Sequence, residues 1–200
     1  MVRHLYLAGV PLIIGLLLSL PLGWLAVRYR WLKLPLIAGS GLLYTIPSLA
    51  LFILLPGILG TRILDPINVV AAMTVYTVAL LVRTVADALS AVPTEVAQAA
   101  TAMGYGSLRR LATVDLPMSI PVLAAGLRVA AVSNVSIVSV ATLIGVEQLG
   151  SLFTDGFSRN LFGPILVGVV GCLLLALALD LLIVGAARLI APWQRVVASP

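Results

Sequence analysis

The sequence has little charge. Only 10% of its 200 residues are Asp, Glu, Lys or Arg, whereas 62% are hydrophobic. A soluble domain usually carries about a quarter charged residues. A chain of this size cannot hide so much apolar surface in a single core. The composition therefore argues against a soluble globular protein and indicates a protein of the lipid bilayer.

Cysteine and histidine are each present once, as Cys172 and His4. A single cysteine forms no internal disulfide, and no His/Cys cluster is available for a metal. We interpret Cys172 as a packing residue and assign His4 no function. There is also no catalytic grouping of His, Ser or carboxylate residues, and no phosphate-binding G-x-x-x-x-G-K-[ST] pattern. An enzyme is disfavoured, and we expect no cofactor in this chain.

Long uncharged stretches are abundant, and five of them meet or approach the roughly 20 residues that a spanning helix needs. The first is too long for a signal peptide and lacks a cleavage site, so we predict a retained helix. The predicted fold is all-α, a single domain of five transmembrane helices. The predicted spans TM1 to TM5 are about residues 5–28, 34–60, 66–90, 116–142 and 162–190.

The net charge of +5 is explained by topology, because Lys and Arg collect in cytoplasmic loops. With the N-terminus outside, three positive residues lie outside and nine lie inside or at inner helix ends. The outer three are Arg3, Arg62 and Arg159; the inner nine are Arg28, Arg30, Lys33, Arg83, Arg109, Arg110, Arg128, Arg188 and Arg195. We therefore predict an extracytoplasmic N-terminus, a cytoplasmic C-terminus and no nucleic-acid partner.

The connector between TM3 and TM4, about residues 94–113, is predicted to form two short helices. Thr94 is the expected N-cap of the first and Ser107 of the second, with Gly104 and Gly106 as breakers. The first helix carries a small face made of Ala97, Ala99 and Ala100. A helix lying on lipid would need large apolar residues and a row of basic ones, so this face favours a protein partner.

The spacing in this connector is specific. The sequence reads Gln98-Ala99-Ala100, three residues, Gly104, nine residues, then Val114-Asp115-Leu116-Pro117. It resembles the cytoplasmic motif of ABC importer permeases, E-A-A, three residues, G, nine residues, I-x-L-P. Gln98 replaces the usual glutamate, and Val114 the usual isoleucine. We expect contact with the ATPase to depend on shape at Ala99, Ala100 and Gly104, with Glu95 as substitute charge.

Other stretches resemble the glycine betaine/choline/carnitine group of osmoprotectant permeases. They include residues 44–52, Gly126-Leu127-Arg128 and the connector after TM4, where Glu147-Gln148 replaces small residues. The resemblance implies two paired permease chains, identical or different, two ATPase subunits that bind ATP and Mg²⁺, and an extracytoplasmic solute-binding protein. The alternatives are import of methionine or another small organic solute and, from another class, an ATP-independent channel.

Some polar and aromatic residues of the spans are candidates for lining the pathway. TM2 contains a proline, Pro47, that should kink it. The pathway candidates are Tyr44, Ser48, Tyr76, Asn134 and Ser136. The hydroxyl-rich face of TM4 fits helix contacts equally well. Because the aromatic residues look scattered, we expect solute selectivity to reside in the binding protein.

Four charged residues within or at the ends of spans are interpreted as structural. A charge at mid-membrane costs about 2.5–3.5 kcal/mol on insertion scales, so such residues usually face a partner or a cavity. Arg83 and Asp87 are four residues apart and can pair on one helix. Arg128 in TM4 and Asp180 in TM5 form a second hypothetical pair.

Overall fold

The computed structural model describes residues 1–193; Arg195, counted above among the inner positives, lies outside the described residues. The described part consists of helices and connecting turns. The α-helices are α1 Val2–Arg28, α2 Arg30–Thr45, α3 Ser48–Leu59, α4 Pro66–Ser90, α5 Thr94–Ala102, α6 Ser107–Arg110, α7 Leu116–Val138, α8 Ser151–Ser158 and α9 Phe162–Ile190. A π-helical segment, Leu111–Asp115, joins α6 to α7, and a 3-10 segment, Ser139–Ile144, follows α7.

Among the described residues, four helices are long and apolar enough to cross a membrane: α1, α4, the continuous helix Ser107–Ile144 and α9. The pair α2 and α3 passes the same test together, although the two helices meet at 102°. The predicted all-α bundle with up to five spans is therefore confirmed.

Helix α4 is the central element and packs against α1, α2, α3 and α7. The contact between α1 and α4 is close because α1 has glycine where it meets α4. A Cβ at Gly15 would overlap Thr77, and a Cβ at Gly23 would overlap Val85. Small residues let membrane helices approach closely. By contrast, α9 lies against α7 and α8 and exposes much of its leucine-rich surface.

The predicted span TM2 is broken rather than kinked. Ile46 and Pro47 both adopt extended backbone conformations between α2 and α3. Pro47 lacks an N–H, and its ring disfavours helical geometry at the preceding residue. The freed carbonyl oxygen of Ile46 accepts a hydrogen bond from the Tyr76 hydroxyl of α4. The break is thus satisfied by a neighbouring helix, as membrane burial requires.

Helix α7 begins at Leu116, where the start of TM4 was predicted, but the helical path begins earlier, and a single helical rod of 38 residues runs from Ser107 to Ile144. The π-helical segment ends two residues before Pro117, where the missing N–H interrupts the regular ladder. At 1.5 Å per residue the rod is about 57 Å long, well beyond the roughly 30 Å of a hydrocarbon core. The second short helix of the connector is therefore the projecting end of this rod.

The two N-caps predicted for the connector, Thr94 and Ser107, are wrong. Helix α5 begins at Thr94 after Pro93, helix α6 begins at Ser107 after Gly106, and neither start has a side-chain capping bond. The connector after α7 contains a further helix, α8. Helix α8 packs on α9.

Candidate functional site

The turn between α5 and α6 depends on Gly104. This residue has a φ of +82°, in the left-handed region that disfavours a side chain. Around it, the Tyr105 N–H donates to the carbonyl of Ala100 at 3.1 Å and the Gly104 N–H to that of Thr101 at 3.0 Å. These bonds close the end of α5. A Cβ here would meet nothing within 4 Å, so the glycine serves the backbone conformation rather than a close approach.

Arg110 connects α5 to the rod. Its Nε donates to Asp115 Oδ2 at 3.1 Å, and its Nη1 donates to Thr101 Oγ1 at 3.3 Å. Asp115 is largely buried, with a side chain 12% exposed. Sequence reasoning missed this link because residues five apart do not share a face in a regular α-helix. The π-helical segment between them alters that register.

The surface of α5 differs from the one expected. Ala100 is only 2% exposed, because it faces the rest of the chain, so in this structure its side chain is covered and does not form part of the exposed surface. Glu95, Gln98 and Ala99 are exposed. Around the turn, two large apolar side chains are exposed, Met103 at 70% and Leu108 at 67%. The partner-facing surface is therefore larger and more apolar than an alanine face.

The remaining motif residues anchor this segment. Val114, Leu116 and Pro117 are half-buried. Leu116 and Pro117 line an apolar groove of about 710 Å³ between α1, the rod and α9. Beyond the turn, the Arg109 guanidinium lies 4.5 Å from the centroid of the Tyr105 ring, a cation–π distance. One end of the motif thus offers exposed surface and the other end packs on the bundle.

Asn134, a predicted pathway residue, is buried at 2% exposure. Its Nδ2 donates to the carbonyl of Ala8 in α1 at 3.2 Å and to Thr77 Oγ1 in α4 at 2.9 Å. It therefore links three helices within the chain, and it lines no open surface here. Ser136, two residues along, is exposed and remains a pathway candidate.

Tyr44 and Tyr76 lie together, contrary to the expectation of scattered aromatics. Their rings meet edge to face with centroids 5.7 Å apart. Tyr76 is 4% exposed, whereas Tyr44 is 40% exposed. Ser48, at the start of α3, is half-buried beside the same break. These three candidates share one neighbourhood, and Asn134 does not belong to it.

The hypothetical Arg128–Asp180 pair is present and links α7 to α9. Arg128 Nε donates to Asp180 Oδ1 at 2.6 Å, and Nη2 donates to Oδ2 at 3.0 Å. This two-point geometry is the strongest form of such a contact. Arg83 and Asp87 make one contact of 3.7 Å, with side chains 72% and 66% exposed. A pair so exposed contributes little to stability.

Comparison with known proteins identifies the family. The model of the binding-protein-dependent transport system inner membrane component family matches residues 14–196, and the chain belongs to this family. The osmoprotectant import permease protein OsmW of Salmonella typhimurium is 33% identical over 184 residues, covering 90% of this chain and 85% of the relative. The glycine betaine/carnitine/choline transport system permease protein OpuCD of Bacillus subtilis is 27% identical over 194 residues, covering 96% and 83%.

A solved structure shares the fold. An inward-facing conformation of the MetNI methionine ABC transporter superposes with a TM-score of 0.82 at 20% identity, covering 94% of this chain and 93% of that chain. The chain is thus a permease subunit of the ABC importer type, and the resemblance drawn from the α5–α7 spacing is confirmed at the level of family and fold.

Proposed function

We propose that this chain forms the translocation pathway of an ATP-driven importer for a compatible solute of the glycine betaine, choline or carnitine type. In the proposed assembly it pairs with a second permease chain and receives solute from an extracytoplasmic binding protein. Two ATPase subunits hold ATP and Mg²⁺ beneath it. The printed functions of OsmW and OpuCD support the solute class. Methionine is the alternative, suggested by the fold of the MetNI transporter.

The observation that carries the proposal is the projecting knob formed by α5, the Gly104 turn and the start of the rod. It exposes Met103 and Leu108 together with two polar side chains, Glu95 and Gln98. Gln98 stands where the family has glutamate. Exposed apolar side chains beside polar ones are typical of a protein contact. We assign this knob to a groove of the ATPase on the cytoplasmic side, which places the N-terminus outside.

The contacts of the knob explain how a movement of the ATPase could reach the bundle. Arg110 joins α5 to Asp115 of the rod, and the rod continues without interruption into α7. Helix α7 packs against α1, α4 and α9. A displacement at α5 is therefore passed across the Gly104 turn and through the Arg110–Thr101 contact to a continuous helix that reaches the centre of the bundle.

The ATPase contact is tested with Met103→Glu and Leu108→Glu in the complete transporter. Each variant should lose ATPase subunits during affinity purification of the tagged permease, because a charge replaces apolar contact surface. The matched control is Phe157→Glu, since Phe157 is 82% exposed but lies in α8; it should retain the subunits. Full retention of the ATPase subunits in both knob variants would contradict the assignment of the knob to the ATPase contact.

The solute is tested in proteoliposomes loaded with ATP and supplied with the binding protein. Glycine betaine, choline and carnitine are compared with methionine as labelled substrates. Uptake of a quaternary ammonium solute that requires ATP supports the proposal. ATP-dependent uptake of methionine alone would support the alternative of a methionine importer. Solute flux without ATP would indicate a channel.

A further inference from the structure

His4 occupies an unusual position for the only histidine of the chain. It lies near the N-terminal end of α1 and is completely buried. Its Nε2 is 3.0 Å from the carbonyl oxygen of Val135 in α7. Its Nδ1 is 3.0 Å from Oε1 of Gln148, in the connector between α7 and α8. The ring therefore joins three parts of the chain.

The orientation of the Gln148 amide is determined by its other neighbours. Gln148 Nε2 donates to the carbonyl oxygen of Ser139 at 3.0 Å, and Oε1 accepts from the Gly150 N–H at 2.5 Å. Turning the amide over would place oxygen against oxygen and N–H against N–H. Gly150 is itself required there, since a Cβ would overlap the Ser139 carbonyl oxygen. The atom facing His4 is therefore an acceptor.

Both ring nitrogens of His4 thus face carbonyl oxygens, which only accept hydrogen bonds. A neutral imidazole carries one N–H and can satisfy one of them, leaving a lone pair against the other oxygen. An imidazolium carries two and satisfies both. Gln148 Oε1 keeps its bond from the Gly150 N–H in either state, so the neutral ring leaves a nitrogen lone pair against an oxygen lone pair, with no water between them because His4 is buried.

We propose that His4 is a buried proton-binding site, and that proton uptake ties the N-terminal end of α1 to the α7–α8 connector through a second hydrogen bond. With the proton bound, Val135 and Gln148 are both held by the ring. When the proton leaves to solvent, one of these bonds is lost and the connector loosens. Histidine is the side chain that changes charge in the physiological range.

The charged groups around the ring are few. Burial is the largest influence against a charge on the ring; the N-terminal amine of Met1 also opposes it, and Arg3 adjoins His4 in sequence. In the connector, Glu147 is exposed next to Gln148, and Asp155 is exposed on α8. Helix α7 has no charged residue at positions 129–138, and helix α4, which packs on α1, has none at positions 66–82. Asp65, the N-cap of α4, is half-buried, and Arg62 before it is exposed. No buried carboxylate is among these groups, so the two carbonyl oxygens are the contacts that favour the charged ring.

The proton site is tested by nitrogen NMR of the full chain in lipid nanodiscs, with ¹⁵N-histidine and a tag that contains no histidine. The single histidine gives one imidazole spectrum. In the wild type we expect conversion from a neutral tautomer to the doubly protonated ring as the pH is lowered. Gln148→Glu should move the midpoint upward by roughly 1 unit or more, since it adds a negative charge. Gln148→Leu should move it downward.

Hydrogen exchange of residues 139–150 provides the second measurement, corrected for the intrinsic effect of pH. Protection should rise about fivefold on acidification, as expected when one hydrogen bond is gained. Residues 94–103 serve as the internal reference, and His4→Gln should abolish the response. An imidazole that stays neutral throughout, a midpoint unchanged in both Gln148 variants, or a response that persists in His4→Gln would overturn the proposal.

Discussion

The knob around Gly104 and the polar centre around Asn134 are built in opposite ways. The knob is exposed and is held by a glycine turn and by the side chain of Arg110. The polar centre is buried, and Asn134 bonds directly to two other helices. In the exposed knob, the spacing of residues and the backbone conformation limit which residues can occur. In the buried centre, the limit comes from contacts between side chains that are far apart in the sequence.

The largest effect should come from Gly104→Leu. A leucine costs about 1–2 kcal/mol in the left-handed region, which is enough to reorient the turn and lower solute uptake about tenfold while ATP hydrolysis continues. Uptake and hydrolysis are measured together in proteoliposomes. Gly106→Ala is the control, because Gly106 has a φ of −65° and open space around its Cα. Wild-type uptake in Gly104→Leu would remove the turn from the mechanism.

The next effect concerns the Arg128–Asp180 pair. Asp180→Asn leaves an uncompensated arginine between α7 and α9, so we expect the amount of folded chain in the membrane to fall several-fold. The double variant Arg128→Met with Asp180→Leu removes both charges and should recover much of the loss. Quantitative blotting and size-exclusion chromatography measure this. If the double variant is as poor as the single one, the charge pair is not what stabilises the contact.

Within the buried centre, Asn134→Leu should lower the free energy of unfolding by about 1–3 kcal/mol, because it removes the side-chain donor that Asn134 gives to the Ala8 carbonyl and to Thr77 Oγ1. Ser136→Ala is the matched control on the exposed side of the same helix and should change stability very little. Thermal unfolding in detergent distinguishes the two. Equal stability of both variants would show that the three-helix link is unimportant.

The smallest effect is expected for Arg83→Ala. Its ion pair with Asp87 is long and exposed, and such surface pairs contribute little. Neither the melting temperature nor uptake should change measurably. A marked loss of uptake would mean that Arg83 contacts a partner subunit, which would extend the exposed, partner-facing class of residues beyond the knob.

Much of the fold was predictable because a bilayer imposes strong constraints on sequence. Uncharged runs of sufficient length locate spanning helices, and α4 lies at Pro66–Ser90, where a span of about 66–90 was predicted. The break in TM2 was anticipated as a kink from Pro47, but its 102° angle depends on the Tyr76 hydroxyl that accommodates the free carbonyl. That partner lies thirty residues away in the chain.

The candidate site was predictable only in part. The spacing from Gln98 to Pro117 identified the family, because a turn and a helix start must lie at set distances along the chain. The Arg110–Asp115 link could not be predicted, since it depends on the π-helical register. The burial of Ala100 could not be predicted either, because it depends on how α5 packs in the folded chain. The sequence also did not show that Asn134 is hydrogen-bonded within the bundle, whereas Tyr44 and Tyr76 lie together elsewhere.

Taken alone, the sequence determined that this chain is a membrane helix bundle of the importer permease family, because apolar length and motif spacing are local properties of the chain. Tertiary structure decided which side chains are exposed to a partner and which are buried in contacts within the bundle. His4 shows the difference most clearly. The sequence does not indicate a partner for this residue. Its two acceptors, Val135 and Gln148, become apparent only when α7 and the connector after it are folded against α1.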